Sequence, residues 1–358
     1  VGHDAATHRA TVRAGTRLVD LGPALAALGQ EMGNLPDINK QSLAGAMSTG
    51  THGTGRGLPA VHGSVVAMRL ATPAGEIIDC DATNRPEIFN AARVGVGAFG
   101  VITQVTLQNQ PLTRILKRIE VRPTSEVIED WPALRRRHRN VEFFTFPFTS
   151  YSLVVTHDVT DRPVKPRGPD TDTEVMMGLK TLRDWFEFAP SLRRRYADAE
   201  LAKVPPEDVV DEGWKLLSNE RPVRFNEIEY HLPIETQMQA LREVIAAIET
   251  HRRDVFFPLE ARVIAPDDAW LSPFYQRESG SIAVHSYYRE EHDFFFSLIE
   301  PIFRRHGGRP HWGKLHSLKA RDFGQMYPHW KEANEVRRAL DPEGRMLNDH
   351  LKGIFLDG

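Results

Sequence analysis

The sequence predicts an α+β protein of two domains, and three observations lead to this prediction. The chain has 358 residues, which is more than one typical domain core of about 100–200 residues. Strand-like and helix-like segments are mixed along the second half of the chain rather than following one period. Glycine is frequent up to about Pro111 and then scarce until Gly280. The change in glycine content indicates a domain boundary near residue 111.

Composition narrows the class of protein. Hydrophobic residues make up 41% and charged residues 26% of the chain, and the net charge is −3, so we expect a globular protein with no nucleic-acid partner. The only cysteine, Cys80, excludes an internal disulfide framework and a cysteine-rich metal site. No run approaches the roughly 18 apolar residues of a membrane span and no signal peptide opens the chain. We expect a cytoplasmic protein, with peripheral membrane association as the alternative.

The elements of the first half follow from residue spacing. Leu18, Leu21, Leu25 and Leu28 recur at helical spacing. A turn at Thr72-Pro73-Ala74-Gly75 separates two strand-like runs. The predicted elements are a strand at 11–15, a helix at 17–32, a hairpin of strands 63–72 and 76–80, a helix at 86–92 and a strand at 101–107.

The second half alternates between the two periods. Aromatic residues are concentrated in the strands near residue 145, and a polar loop rich in Pro, Asp and Thr follows. The predicted elements are a helix at 125–139, strands within 141–157, a loop at 161–174, a helical stretch at 175–202, strands at 225–230, 255–265 and 281–288, and helices at 235–251 and 290–306.

A glycine-rich loop is the first candidate binding element. Residues 41–55 read QSLAGAMSTGTHGTG, in which eleven of fifteen residues are Gly, Ser, Thr or Ala and none is charged at neutral pH. Such a loop brings its backbone close to a ligand and offers hydroxyl and amide N–H groups to a phosphate. The same composition is typical of ordinary turns. We predict an anion cradle, although the loop matches neither the Walker phosphate loop nor the dinucleotide fingerprint.

Two charged residues form the second candidate. Glu260 and Arg262 are two apart on a predicted strand and therefore share a face. Pairs of this kind are usually exposed or structural ion pairs. The flanking residues Phe256, Phe257 and Val263 favour a half-buried site. Burying an ion pair there would cost desolvation free energy, which favours a pair that has a function.

Residues 311–316, HWGKLH, form the third candidate. A lysine held in a partly desolvated place beside an indole can stabilise negative charge or take up a proton. Lys314 is that lysine. A surface turn plugged by Trp312 is the alternative. His311 and His316 lack a third ligand at suitable spacing, so we predict no metal site.

The strand at 281–288 carries two further polar candidates. His285 and Tyr287 alternate onto one face. This pattern is as typical of a plain sheet as of a binding site.

Several motifs together resemble a known family. They are GNLPDI at 33–38, QSLAG at 41–45, STGTHGTG at 48–55, GAFGVIT at 97–103 and HWGK at 311–314. These segments resemble the vanillyl-alcohol-oxidase flavoprotein superfamily and, more narrowly, its sugar-1,4-lactone oxidases and the related alditol oxidases. The resemblance implies the C-terminal half of a PCMH-type FAD-binding domain, followed by an α+β substrate (cap) domain. FAD is the implied cofactor.

The resemblance also implies roles for individual residues. Glu260, Arg262 and Lys314 would be catalytic, and His285 and Tyr287 would bind substrate. The residues implied to bind FAD are Asp37, Ser42, Gly45, Thr49, Gly50, Thr51, His52 and, through its backbone, Val101. Alditol oxidases carry serine in place of Asp37 and threonine in place of Tyr287, so their polyol specificity does not carry over.

Domain boundaries follow from the same resemblance. The expected division is 1–111 for a partial FAD-binding domain, 112–310 for the substrate domain, and 311–358 for a segment that returns to the FAD-binding domain. Relatives carry an earlier Gly-x-Gly-His-Ser loop, and the surroundings of His3 and His8 do not match it. We therefore expect the N-terminal part of the FAD-binding domain to be absent.

The implied reaction is FAD-dependent oxidation of a small carbohydrate, a sugar-1,4-lactone of the D-arabinono-1,4-lactone type. Molecular oxygen is the implied acceptor, because relatives that use oxygen commonly have Gly or Pro at the position of Pro36. An alditol or other carbohydrate oxidase is one alternative. A flavin-free remnant with a binding role is the other.

Overall fold

The structure is a computed structural model that describes residues 2–168 and 172–356. Its first part contains a five-stranded sheet in the order β1-β2-β6-β4-β5 and a ribbon of β3 and β7. The strands are β1 (Gly2–Asp4), β2 (Arg9–Arg13), β3 (Gln30–Glu31), β4 (Val65–Ala71), β5 (Ile77–Asp81), β6 (Val101–Gln108) and β7 (Gln110–Pro111). The helices are α1 (Leu18–Ala26), α2 (Leu43–Ser48) and α3 (Pro86–Ala92).

The second part contains an antiparallel eight-stranded sheet in the order β11-β8-β10-β9-β13-β14-β12-β15. Its strands are β8 (Arg114–Pro123), β9 (Asn140–Thr145), β10 (Tyr151–Val159), β11 (Glu207–Glu212), β12 (Phe225–Pro233), β13 (Leu259–Ile264), β14 (Ser279–Tyr287) and β15 (Arg309–Pro310). The helices are α4 (Thr124–Arg137), α5 (Asp172–Phe186), α6 (Pro190–Leu201), α7 (Gly213–Leu216), α8 (Gln237–His251), α9 (Glu300–Arg305), α10 (Ala320–Met326), α11 (Trp330–Leu340) and α12 (Asp349–Phe355).

The α+β class and most elements agree with the sequence prediction, and the hairpin of β4 and β5 is confirmed. Helix α1 is shorter than predicted. Its buried face consists of Leu18, Leu21 and Leu25, whereas Leu28 is 40% exposed. Gly29 adopts φ +72°, a left-handed conformation that commonly follows a helix. The chain then turns into β3, which pairs with β7.

Two predictions for the second part were wrong in detail. The helix predicted over 175–202 is two helices, because Pro190 disfavours helical geometry at the preceding Ala189. Strands β8 and β11 were not predicted, since their charged residues hide the apolar alternation. The loop predicted at 161–174 falls partly on residues 169–171, which lie outside the described residues.

A short segment joins the two large sheets. The Thr54 hydroxyl donates a hydrogen bond to the carbonyl oxygen of Val141 on β9, and the Gly55 N–H donates one to Val263 on β13 (2.7 Å). Thr54 Oγ1 also accepts a hydrogen bond from the Val263 N–H (3.2 Å). Residues 52–55 therefore hold the first part of the chain against the middle of the eight-stranded sheet. In the described residues, no helix is both long and apolar enough to cross a membrane.

We expect Gly53→Ala to destabilise the protein by about 1–3 kcal/mol, because there is no space for a side chain at this position. An added Cβ would overlap the carbonyl oxygen of Leu35 and lie 2.7 Å from Asn34 Oδ1. Thermal unfolding followed by circular dichroism measures the effect. The control is Gly57→Ala, whose Cβ would meet nothing within 4 Å. Equal melting temperatures for the two variants would contradict the expectation.

Candidate active site

A cavity of about 630 Å³ lies between the glycine-rich loop and one face of the eight-stranded sheet. Its volume is in the range of small-molecule sites, about 300–1,000 Å³. The loop side contributes Ser42, Gly45, Thr49, Thr51 and His52. The sheet side contributes residues of β8, β9, β12, β13 and β14, and the turn after β15 adds Lys314. Two regions that are distant in sequence thus form the two walls of one site.

Sheet register sets the order of the charged side chains on the sheet wall. Arg262 on β13 lies opposite Glu142 on β9. Glu260 is one position along the same face, opposite Phe144 on β9, and Ala283 on β14 separates it from Glu229 on β12. Directly opposed residues of an antiparallel pair point to the same face. The predicted pair Glu260 and Arg262 is therefore buried within a larger charged group.

The buried Arg262 guanidinium lies between two carboxylates. Its Nε donates a hydrogen bond to Glu142 Oε2 (2.7 Å). Its Nη2 also lies close to Glu260 Oε1, but this contact has no hydrogen-bond geometry and Oε1 has no other partner among the described residues. Burial alone would lower the pKa of Arg262, but Glu260 and Glu142 outweigh it and raise the pKa. Glu142 is thus the residue that is hydrogen-bonded to Arg262. The sequence analysis did not identify Glu142 as a candidate site residue.

Glu260 is the carboxyl group best suited to hold a proton. Burial raises its pKa well above the ordinary value. Arg262 opposes this rise, whereas the negative charge of Glu142 adds to it. A carboxyl with a raised pKa is a stronger base when ionised and can keep a proton it has taken up.

Lys314 keeps its positive charge through a second carboxylate. Its Nζ donates a hydrogen bond to Glu227 on β12, and the N–H of Leu315 donates to the Glu227 carbonyl oxygen (3.0 Å). Burial would lower the pKa of Lys314, but the contact with Glu227 raises it overall. His285 lies beside this pair: its Nδ1 donates to the Pro258 carbonyl oxygen (2.8 Å), and burial lowers its pKa. His285 is therefore a neutral polar group in the cavity.

His52 connects the loop wall to the sheet wall. Its Nδ1 donates to the Gly53 carbonyl oxygen (2.7 Å), and its Nε2 lies 3.0 Å from Glu229 Oε1. Both ring nitrogens thus face oxygen atoms, one on the loop and one on the sheet. Burial would raise the pKa of Glu229, but His52 outweighs it and holds the pKa well below the ordinary value. His52 and Glu229 thus form a buried contact between the loop wall and the sheet wall.

One group of side chains in the described part of the chain could hold a metal ion, and sequence spacing does not bring its members together. Among the described residues, possible ligand atoms of His52, Glu229 and His231 lie within 4.8 Å of one another. His231 is fully buried, and neither of its ring nitrogens has a partner among the described residues. The absence of a metal site, predicted from His311 and His316, stays a prediction.

The structure brings most of the predicted site residues to one cavity. Lining residues are Asp37, Ser42, Gly45, Thr49, Thr51, His52, Glu260, Arg262, His285 and Lys314. Three predicted residues do not line it in the described structure. Gly50 forms a turn at φ +70°, and Val101 is 56% exposed at the start of β6. Tyr287 packs beside the cavity, against the rings of Phe256 and Phe257.

The phosphate-cradle prediction was wrong for the amides that begin α2. The N–H groups of Leu43 and Ala44 donate to the carbonyl oxygens of Thr16 and Ala14. The N–H of Gly45 donates to Ser42 Oγ, which caps the helix. These amides are satisfied within the protein and are not free to bind an anion. The small side chains of the loop form a cavity wall that can come close to a ligand.

That wall fits a planar cofactor. An added Cβ at Gly45 would meet only Ser42 Oγ (3.1 Å), so a side chain there would project into the cavity. Arg262 and Lys314 face the cavity from the other side with positive charge, which complements the negative charge of a reduced flavin. Ser42, Gly45, Thr49, Thr51 and His52 are the residues that would hold the ring.

Comparisons with known proteins agree with this fit. The family model described as D-arabinono-1,4-lactone oxidase matches residues 105–354, and a FAD binding domain model matches residues 1–81. The chain belongs to the D-arabinono-1,4-lactone oxidase family. It is therefore an FAD-linked oxidoreductase, and FAD is its cofactor.

Individual relatives cover nearly the whole chain. An L-gulono-1,4-lactone dehydrogenase of Mycobacterium tuberculosis is 34% identical over 98% of this chain and 82% of its own length. An L-gulonolactone oxidase of Scyliorhinus torazame is 31% identical over 96% of this chain and 80% of its own length. A solved cholesterol oxidase of Brevibacterium sterolicum superposes with a TM-score of 0.77 at 16% identity, covering 98% and 81% of the two chains. The structural match shows the fold alone and confirms the PCMH-type class.

We expect Glu260→Gln to gain stability relative to the wild type as pH rises from about 4 to 7.5. Above the ordinary glutamate pKa of about 4.3 the unfolded chain releases its proton, whereas the folded protein retains it because the pKa of Glu260 is raised. The contribution of Glu260 to the free energy of unfolding of the wild type thus falls as pH rises. The glutamine variant has no such loss. Melting temperatures of both proteins across this range measure the difference.

The control for this comparison is Glu335→Gln, at an exposed position of α11. Its melting temperature should follow that of the wild type at every pH. A glutamine variant of Glu260 whose difference from the wild type does not grow with pH would contradict the raised pKa.

Proposed function

We propose that the chain, with FAD bound, oxidises a C–OH group of a sugar-1,4-lactone of the D-arabinono-1,4-lactone type and passes the electrons to molecular oxygen. The observation that supports this most directly is the buried Glu260, which has a raised pKa and no hydrogen-bonded partner for Oε1 among the described residues. It lies in the same cavity as the loop wall that suits a flavin. The site thus has a proton acceptor beside the place for a hydride acceptor.

FAD and the protein have different roles in the proposed reaction. FAD supplies the hydride acceptor. In the proposed step Glu260 takes the hydroxyl proton, the carbon loses a hydride, and the C–OH becomes C=O. Oxygen then receives two electrons and two protons to give hydrogen peroxide. Proton transfer to a positioned carboxylate contributes about 10²–10⁴-fold to such rates.

Other residues would hold charge and orient the substrate. Arg262 and Lys314 keep positive charges in a buried cavity, where they stabilise negative charge developing in the reaction. His285, held by the Pro258 carbonyl oxygen, would contact a substrate hydroxyl. Tyr287 would act through Phe257, which lines the cavity. The rings of Tyr287 and Phe257 stack with their centroids 6.5 Å apart. We keep Gly50 and Val101 as proposed backbone contacts of FAD.

Molecular oxygen is the proposed electron acceptor. Pro36 lines the cavity, which suits the interpretation that it lies near the flavin. The relatives named above carry both oxidase and dehydrogenase names. The choice between acceptors therefore depends on the assay.

We also propose the domain division 1–111, 112–310 and 311–358, and a cytoplasmic location without a nucleic-acid partner. Strands of the five-stranded sheet precede Pro111 and strands of the eight-stranded sheet follow it, which supports a boundary there. Cys80 is free and buried, which suits a reducing compartment.

The function is tested by reconstitution and assay. The purified chain is incubated with FAD and desalted, and its visible spectrum is recorded. We expect retained flavin absorption and production of hydrogen peroxide with D-arabinono-1,4-lactone. Activity only with an artificial electron acceptor would indicate a dehydrogenase, and activity only with open-chain polyols would indicate an alditol oxidase. A colourless, inactive protein that binds sugars would support the flavin-free alternative.

We expect Glu142→Gln to shift the acidic limb of the pH profile of kcat/KM to lower pH. Glu142 raises the pKa of Glu260 and holds the Arg262 guanidinium by a hydrogen bond. Without its charge Glu260 ionises at lower pH, and Arg262 becomes available to it. Rates measured over pH on the FAD-loaded enzyme give the shift.

A Glu335→Gln enzyme is the matched control and should keep the wild-type profile. Glu142→Gln with an unchanged acidic limb and a uniformly lower rate would show that Glu142 only supports the fold.

A further inference from the structure

We propose that Lys117 forms a subsite for an anionic group, a carboxylate or a phosphate, carried by the substrate at the end distant from the oxidised carbon. This inference rests on the proposed function, because it names the chemistry of the substrate bound in the same cavity. It begins from a buried lysine that the reaction described above does not use.

Lys117 lines the cavity and is only 6% exposed. Among the described residues its ammonium makes one hydrogen bond, to Asn219 Oδ1 (3.2 Å), and no salt bridge. An ammonium has three N–H donors, so two remain for a ligand. A buried positive charge without a carboxylate partner is costly, and a bound anion would remove that cost.

The nearby carboxylates are already used. Asp37 accepts hydrogen bonds from Arg221 Nε (2.8 Å) and from Asn219 Nδ2 (2.5 Å). Glu142 accepts from Arg262. Asn219 therefore connects Lys117 to Asp37 without giving Lys117 a carboxylate contact. The orientation of Asn219 turns its acceptor oxygen towards the ammonium and its donor nitrogen away from it.

Burial lowers the pKa of Lys117 to about 8, although Glu142 and Asp37 favour its charge, in the described structure without a hydrogen bond or salt bridge to it. The cross-strand neighbours of Lys117 are Val209 on β11 and His157 on β10. Burial lowers the pKa of His157 well below its ordinary value, and the charge of Lys117 lowers it further, so this ring is neutral. Arg167 lines the same cavity and adds positive charge, while Glu207 at its exposed edge makes no salt bridge with Lys117. The end of the cavity around Lys117 favours an anion over a neutral hydroxyl.

Sheet order gives the distance between the two ends of the site. Strands β10 and β9 lie between β8, which carries Lys117, and β13, which carries Glu260. Three strand spacings separate the two backbones by about 14 Å across the sheet. Lys117 is in register with Asn140 on β9, through His157, whereas Glu260 is in register with Phe144, so they are also offset by about 13 Å along the strands. The two backbones are therefore roughly 19 Å apart. Both side chains line the same cavity, and an anionic group at the far end of a bound lactone would extend it towards Lys117. A terminal carboxylate or phosphate would then reach Lys117 while the oxidised C–OH lies at Glu260.

The test compares three ligands that share a ring. They are a hexono-1,4-lactone, the aldaro-1,4-lactone in which the terminal CH₂OH is a carboxylate, and the phosphate ester of the terminal hydroxyl. Dissociation constants are measured by calorimetry on the full chain loaded with FAD, and KM and kcat are measured for each ligand that is oxidised. We expect at least one anionic lactone to bind more tightly than the neutral one. The tighter of the two identifies carboxylate or phosphate as the natural group.

We expect Lys117→Met to weaken binding of the preferred anionic lactone by about 10–100-fold, the range for hydrogen bonds to charged groups. The loss should appear in Kd and KM with kcat little changed, and the neutral lactone should change by less than about threefold. Lys117→Arg should keep most of the preference because it keeps the charge. The control, Lys40→Met, changes an exposed lysine paired with Glu220 and should leave all values unchanged.

Equal affinity of the wild type for neutral and anionic lactones would overturn the inference. So would a Lys117→Met variant that weakens all three ligands alike. If that variant does not fold, Lys117→Gln takes its place, because glutamine can still donate a hydrogen bond to Asn219. Failure to oxidise any lactone would contradict the proposed function, and the calorimetric comparison would still decide the subsite.

Discussion

The attachment of residues 52–55 to the eight-stranded sheet is the constraint on which the site depends. Gly53 has no space for a side chain, and Thr54 and Gly55 bond to strands β9 and β13. This attachment brings His52 onto Glu229 and fixes the distance between the loop wall and the sheet wall. The cavity exists because a short segment from the first part of the chain is hydrogen-bonded to the middle of a sheet formed by the second part.

The sheet wall gathers several carboxylates in a small buried volume, which is tolerable only if they are paired or protonated. Three of them contact basic side chains. The pairs are Glu142 with Arg262, Glu227 with Lys314, and Glu229 with His52. Glu260 shares Arg262 with Glu142 without gaining a hydrogen bond, and burial, together with the charge of Glu142, raises its pKa. The proposed proton acceptor is the group that the pairing leaves incompletely satisfied, in keeping with the clustering of perturbed pKa values at functional sites.

The sequence predicted those parts of the site that depend on local spacing. Glu260 and Arg262 share a face because strand residues two apart always do, and Lys314 was visible in a short motif. Glu142 and Lys117 were not predictable, because their neighbours are set by the register between strands distant in the chain. The same reason applies to the fold: period and turn residues predicted the β4–β5 hairpin, whereas β8 became a strand through pairing with β10 and β11.

The glycine-rich loop shows why composition alone does not decide how a loop contacts its ligand. Glycine, serine and threonine suit a phosphate cradle only if their amides are free, and here those at the start of α2 bond to Ala14, Thr16 and Ser42. The same small residues also let a wall approach a flat ring closely, which depends on side-chain volume rather than on free donors. Gly45 meets this second requirement, since only Ser42 Oγ lies near the position of its absent side chain. The family match to a FAD-binding domain and the satisfied amides are consistent, because small side chains would let this loop approach a flavin ring by shape, while electrostatic stabilisation is the role proposed for Arg262 and Lys314 on the opposite wall.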